Sequence, residues 1–482
     1  MKIYSWALAI LLAFTGFPAL AQQLPSGIQR LVSKIKQKNE LKSEFVGYAA
    51  VTPEQYHDFI ALRDSASLEV LLRLTRHHNA VVRGYAGWAL ADRQYAGLPT
   101  LFTYFLQHPR KVKTMHGCIG GNNELASEFY FRVVNYGLRQ ARTHPDSVFY
   151  AGQLAQLDSI LLYHHPRHRL ADYALKRNAA NPRRYQIIKT IYQQDSSSTA
   201  LTALAEYHRP EDVALLQQAG FSAFAGITRF PDSAFWPLLT SVDLQVFAGK
   251  DNLNASFYLS DYYRALASYQ DERSAAFIRG LYQHQPVPRP AKLVVVLTET
   301  NNPVYHDILL DLWVTDKMML VPAVQATSAA QPEAAAQAFA KGMLSSVPYS
   351  EDDPSSDYRF DSEIIPLMLH HLERYNAAAI PAICNYNVLT ADFLALEKFL
   401  DYVQSKRIQV CKPAIMTRLQ GPNSAFNMFH LTQAALAYND PALKPELQRL
   451  LTEKQKDWDQ YNWSSSFRKL LTANGITIAA GQ

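Results

Sequence analysis

Several groups of residues carry side chains that could do chemistry. Tyr163-His164-His165-Pro166-Arg167-His168 holds three imidazoles within a short run, and His370-His371-Leu372-Glu373 sets two beside a carboxylate. Imidazoles chelate one ion when a single helix face presents both, and adjacent helical residues point about 100° apart. His165 and His168 have a usable spacing, but Pro166 stands between them and breaks the helix that would align them. Both groups therefore read as polar turn or surface residues, and no metal or other cofactor is expected. Asp353, Asp357 and Asp361 suggest a calcium loop, yet the glycine and bidentate glutamate of such a loop are missing, which leaves a solvated acidic segment. Cys118 lies in Met115-His116-Gly117-Cys118-Ile119-Gly120-Gly121, two residues from an imidazole and before a helix expected near Asn122. A thiol so placed could be reactive. The preferred reading is a small buried side chain in a glycine-rich turn. Cys384 and Cys411 are spaced as neighbouring helices of a hairpin pair could join them, a possible disulfide; with 3 Cys, at least one thiol is free.

Other chemistries lack their usual residues. The chain has no His-Glu-x-x-His, no Gly-x-Ser-x-Gly, no glycine-rich phosphate loop and no Cys-x-x-Cys. That removes locally encoded hydrolases, nucleotide enzymes and zinc modules, and no catalytic residue is assigned. The net charge is +5 over 482 residues, far below what a nucleic-acid binder concentrates, so no nucleic-acid partner is expected. Met1-Lys2, the apolar stretch Tyr4 to Phe17 and Ala19-Leu20-Ala21 form the pattern of a secretory leader cleaved near Ala21. Secretion or a periplasmic location follows as the expectation. No later stretch is apolar for long enough to cross a membrane. The basic, one-faced segment 28–42 could touch an anionic membrane, but it suits better a polar-faced end cap of a helical stack.

The elements that must position these residues read as helices. Asn181-Pro182, Asn302-Pro303 and Asp440-Pro441 each join an N-cap acceptor to a residue needing no donor at the first helical position. Thr52-Pro53 with Gln55 suggests a capping box. Apolar spacings of three and four follow, as in Val82, Tyr85, Ala86, Ala89 and Leu90, while strand alternation is hard to find. Leu293-Val294-Val295-Val296-Leu297 fits either a strand or a fully buried helix. Ala-Leu-Ala recurs at Ala89, Ala203, Ala265 and Ala435. In the first three copies two bulky residues follow in the same register, Leu101-Phe102, Leu215-Leu216 and Phe277-Ile278; the fourth keeps only Leu447. Small residues there would let a neighbouring helix approach, with the bulky ones docking the next helix on the same core.

The segment LLRLTRHHNAVVRGYAGWALADRQYAGLPTLF resembles a HEAT-type repeat, with Asn79 where such repeats usually carry Asp, Val82-Arg83 as the Val-Arg pair, and Ala86 and Ala89-Leu90 as the Ala-rich close. The likeness covers residues 52–107 and 198–282. It implies an all-α fold, a right-handed superhelix of antiparallel helical hairpins, with Asn79 an N-cap and Arg83 bonding across to an adjacent repeat. The expected division is a leader at 1–21, a repeat block at 22–344, an acidic Ser/Pro loop at 345–362 and a helical block at 363–482. The expected function is non-catalytic binding or scaffolding of a protein, peptide or glycan on the concave face. Arg83, Trp88, Arg132, Tyr136, Tyr258 and Tyr262 are the candidate contacts. The competing expectation is a glycan-active enzyme that gathers carboxylates from distant helices.

Overall fold

The computed structural model describes residues 23–140, 147–247, 253–284, 290–349, 358–391, 393–459 and 463–478. It is 73% helical with little strand, so the class is all-α. The chain forms two compact units, Met1–Ala203 and Leu204–Gln482, divided within helix Ser198–Ala205.

In the first unit, helix Ala80–Asp92 is apolar almost all round and buried from Val81 to Ala91, which marks it as central. Helices Glu54–Ser65 and Leu125–Gln140 pack on it, and Leu125–Gln140 in turn meets Ser147–His164. Gly84 and Gly87 permit this close approach. A Cβ on Gly87 would stand 3.1 Å from the Phe105 ring, and one on Gly84 would stand 3.0 Å from Leu41. Helix Ser26–Lys38 buries Ile28, Val32 and Ile35 against Glu54–Ser65 and adds the ion pair Lys34–Asp58 at 3.6 Å. The basic helix is therefore docked on the next helix through its apolar face.

A three-stranded sheet also lies on the central helix, made of β1 (Leu41–Val46), β2 (Lys111–Gly117) and β3 (Ile119–Glu124). β1 runs parallel to β2, with Leu41 opposite Thr114, and β3 returns antiparallel with Ile119 opposite His116. Gly117, at φ 56°, supplies the left-handed residue of the turn. The Tyr85 hydroxyl accepts from Lys42 N–H at 2.8 Å and donates to Lys42 C=O at 3.2 Å, so the central helix closes the outer edge of β1.

In the second unit, helix Leu253–Ala267 packs against Phe224–Arg229 and Pro290–Thr300, Pro332–Met343 against His306–Asp316 and Ile364–Tyr375, and Phe393–Lys406 against Ala425–Ala437. Pro290–Thr300 is the buried helix alternative for Leu293 to Leu297. All four Ala-Leu-Ala copies sit at the ends of helices, and Phe102, Leu216, Ile278 and Leu447 are buried on the helices that follow. Two of the copies also accept a tyrosine bond, from the Tyr150 hydroxyl to Ala91 C=O at 3.0 Å and from the Tyr305 hydroxyl to Ala267 C=O at 3.1 Å. Helices Pro332–Met343 and Ile364–Tyr375 pack together across the 345–362 segment, of which residues 350–357 lie outside the described residues.

Some expectations are corrected. The capping box at Thr52 does not form: the helix begins at Glu54 after Pro53, and the Gln55 amide is drawn instead to Glu40 C=O at 2.5 Å. The helix expected near Asn122 begins at Leu125, directly after β3, which holds Asn122 and Asn123. Cys118 is exposed at the hairpin turn rather than buried. Arg83 bonds the carbonyls of Arg76 and His77, the turn leading into its own helix, because its side chain folds back toward that helix's N-terminus. Asn79 does cap that helix, accepting from Val81 N–H at 3.0 Å and Val82 N–H at 3.1 Å.

Candidate functional site

The sheet and helix Leu125–Gln140 of the first unit flank a cleft of about 540 Å³, lined on one side by Ser43, Glu44 and Phe45 of β1 and on the other by Glu128, Phe131 and Arg132, with Trp88 of the central helix. His116 and Asn123 close it. The strand period explains the cleft's β2 wall: Val112 and Thr114 are turned inward and buried, and His116, two residues on, shares their face.

Glu128 is the centre of the polar network. Its carboxylate is buried, and it accepts from His116 Nε2 at 2.8 Å and from the Asn123 amide at 2.8 Å. Asn123 also donates to the Thr114 hydroxyl at 3.1 Å. With the carboxylate as acceptor, His116 donates through Nε2 and keeps Nδ1 as its own acceptor. A carboxylate that fixes an imidazole in this way is the arrangement a general base requires. The neighbouring hydroxyl is not aligned for attack, since Ser43 Oγ donates to Phe45 C=O at 2.9 Å.

Trp88 and Arg132 form the floor. The indole N–H donates to Glu128 C=O at 3.2 Å, and the Arg132 guanidinium lies 4.9 Å from the indole centroid. Arg132 grips Asp92 with two bonds, of 2.7 Å and 2.5 Å. Burial is the largest single influence and opposes the guanidinium's charge, but the hydrogen bonds and charges of Asp92 and Tyr56 together outweigh it and hold Arg132 above its ordinary value. Asn123, Glu128 and Phe131 also form part of the wall of a second cleft, of about 420 Å³, which reaches Arg169, Asp172, Tyr173 and Lys176.

The sequence-based candidates separate clearly. Arg132 and Trp88 come together at the cleft, yet Trp88 is only 3% exposed and serves mainly as packing. Arg83 is buried against its own turn. Tyr262 is 0% exposed, with its hydroxyl donating to Leu239 C=O at 3.0 Å, and Tyr258 is half-buried with its ring 6.4 Å from Phe221. The Tyr136 side chain lies outside the described residues. Cys384 and Cys411 carry free, buried thiols that touch, with Cys384 pushed up chiefly by the hydrogen bond it shares with Cys411 and then by burial. In the first histidine group His168 pairs with Glu124 at 2.9 Å, and in the second His370 pairs with Glu373 at 3.2 Å. No group of three metal-ligating side chains is poised for an ion among the described residues.

Sequence reasoning missed His116, Asn123 and Glu128, which act together only because the sheet folds over the helix. The alternation Val112, Thr114, His116 was the one local signal for it. Beside the cleft, Gly47 N–H bonds Gly117 C=O at 2.9 Å, and Val46 pairs with Val51. These bonds tie the loop after β1 to the hairpin turn. The tip so formed presents Tyr48 at 103% exposure, Ile119 at 76%, Val51 at 60% and Phe45 at 49%. No helix is long and apolar enough to cross a membrane among the described residues. In comparisons with known proteins, no family model, no curated protein and no solved structure matches the chain.

Proposed function

We propose that this is an exported, HEAT-like helical-repeat protein that binds a polypeptide partner at the sheet tip and its cleft, without catalysis. The observation that carries the reading is the tip itself: Phe45, Tyr48, Val51 and Ile119 leave large apolar surfaces in water beside a cleft of mixed lining. A soluble chain gains nothing from such a cluster unless a partner covers it, and aromatic side chains dominate protein interfaces. The cleft's amide, imidazole and carboxylate groups would then supply the directional bonds that fix register. The repeat assignment is supported by the Ala-Leu-Ala register and by helices that pack on their second neighbours, as Ala80–Asp92 does on Glu54–Ser65 and Leu125–Gln140. Export is supported by the leader-like residues through Ala21, and N-terminal sequencing of the exported protein should begin at Gln22.

Panning a random peptide library on the immobilised protein tests the binding reading. Enriched peptides should bind the wild type and lose at least tenfold in affinity to Tyr48→Asp/Ile119→Asp, a pair whose exposure leaves the fold intact. Equal binding to both proteins would end the proposal. The second reading, a glycan hydrolase, draws on Glu44 and Glu128 lining one cleft from separate elements. It requires release of reducing sugar from polysaccharides by the wild type and its loss in Glu128→Gln.

A further inference from the structure

The second unit contains a cavity of about 710 Å³, within the range of small-molecule sites. Its lining is mixed, with Val347, Phe360, Phe393 and Leu394 as apolar walls and Ser345, Ser346 and Thr390 among the polar ones. Phe393 and Leu394 are 59% and 41% exposed, so two large apolar side chains face water at one place.

Lys317 stands at the same cavity, and it is only 2% exposed. Local structure brings it there. Lys317 ends helix His306–Asp316 in the left-handed conformation, at φ 49°, with its N–H on the carbonyls of Leu312 and Trp313. Its ammonium donates one hydrogen bond, to Ser345 C=O at 3.2 Å, and lies 4.3 Å from the centroid of the Tyr349 ring. An ammonium has three donors. No carboxylate of the described residues pairs with it, and burial pushes it down to about 8 with no neighbouring charge to compensate. The tyrosines nearby are engaged elsewhere, Tyr349 with Asn387 at 2.9 Å and Tyr386 with Ser345 C=O at 3.2 Å. Capping the end of helix Pro332–Met343 accounts for the bond to Ser345. It does not account for the space beside the ammonium or for the apolar rim.

We propose that this cavity binds a small amphipathic carboxylate, with Lys317 on the anionic head and Phe360, Phe393 and Leu394 around the apolar body. A buried cation with no counter-anion among the described residues gains most from a single compact anion, and a lysine meets a carboxylate as a point charge without the bidentate geometry of arginine. The apolar body would cover the side chains now left in water. This site lies in a different unit from the sheet tip, so neither reading depends on the other.

Calorimetric titration of the full chain with dodecanoate and, separately, with dodecan-1-ol tests the proposal. The wild type should take one dodecanoate per chain, at least tenfold more tightly than the alcohol. Lys317→Met should abolish that preference while still binding the alcohol. If Lys317→Met does not fold, Leu394→Glu at the exposed rim should weaken dodecanoate at least tenfold. Equal affinity for acid and alcohol, or dodecanoate binding unchanged in either folded variant, overturns the proposal. So does binding that appears only when the acids that follow Tyr349 in the sequence are removed, as in E351Q/D352N/D353N.

Discussion

At Arg132 two neighbours decide what the side chain does. Asp92 takes both of its forks, and Trp88 lies under the guanidinium plane, so a residue that reads as an exposed contact is instead the half-buried counterion of a buried carboxylate. Removing Arg132 leaves the Asp92 carboxylate, its side chain 1% exposed, with only the longer 3.6 Å ion pair to Arg63. Arg132→Ala should therefore cost about 3 kcal/mol in urea denaturation. Asp92→Asn combined with Arg132→Met should cost less than the two changes made separately, because neither charge is then stranded. The sequence carries no sign of this, since Asp92 and Arg132 stand forty positions apart and only the packing of Ala80–Asp92 on Leu125–Gln140 joins them. His116 and Glu128 were hidden for the same reason. Asn79 was legible because a cap is local, its acceptor and its donors lying within three residues of each other.

Helix Ala80–Asp92 depends on that cap, being flanked on every side and having no acidic residue in its first turn to answer its N-terminal donors. Asn79→Ala should lower stability by about 1 kcal/mol, read as a shift of the urea midpoint with unchanged slope. Helices Ile380–Thr390 and Cys411–Gln420 supply a second measurable element, because their packing sets the thiols of Cys384 and Cys411 against each other. Alkylation of the folded protein should mark Cys118 alone. Alkylated only after unfolding without reductant, protein made in a reducing cytoplasm should carry three adducts; if the proposed export leads to a Cys384–Cys411 disulfide, protein recovered from the oxidising compartment should carry one. At this scale the sequence was a good guide to helices, whose caps and three-and-four spacings are short-range. It was a poor guide to strands. β3 reads Ile-Gly-Gly-Asn-Asn-Glu and has no apolar alternation, and it is a strand only because β2 offers it an edge.

As a whole molecule the chain has two compact units, with the division inside Ser198–Ala205 rather than at the acidic segment the composition singles out. Composition marks where a chain is polar, whereas a unit is defined by which side chains share a core, and Pro332–Met343 shares one with Ile364–Tyr375. A fragment of residues 197–482 should accordingly fold alone, giving a helical circular dichroism spectrum and a single cooperative melt; a spectrum typical of unfolded chain would show that the second unit needs the first. The sheet of the first unit has a different kind of origin from the helices around it. β1 occupies the connection between Ser26–Lys38 and Glu54–Ser65, while β2 and β3 occupy the one between Leu98–Gln107 and Leu125–Gln140. The exposed tip is thus written in two inserts whose strands give Leu41 and Val112 to the core while their turns carry the exposed side chains. Descendants of such a chain can rewrite 46–51 and 117–122 freely while the helices stay fixed, and the same two stretches are where new loops could be grafted to give the scaffold a different target.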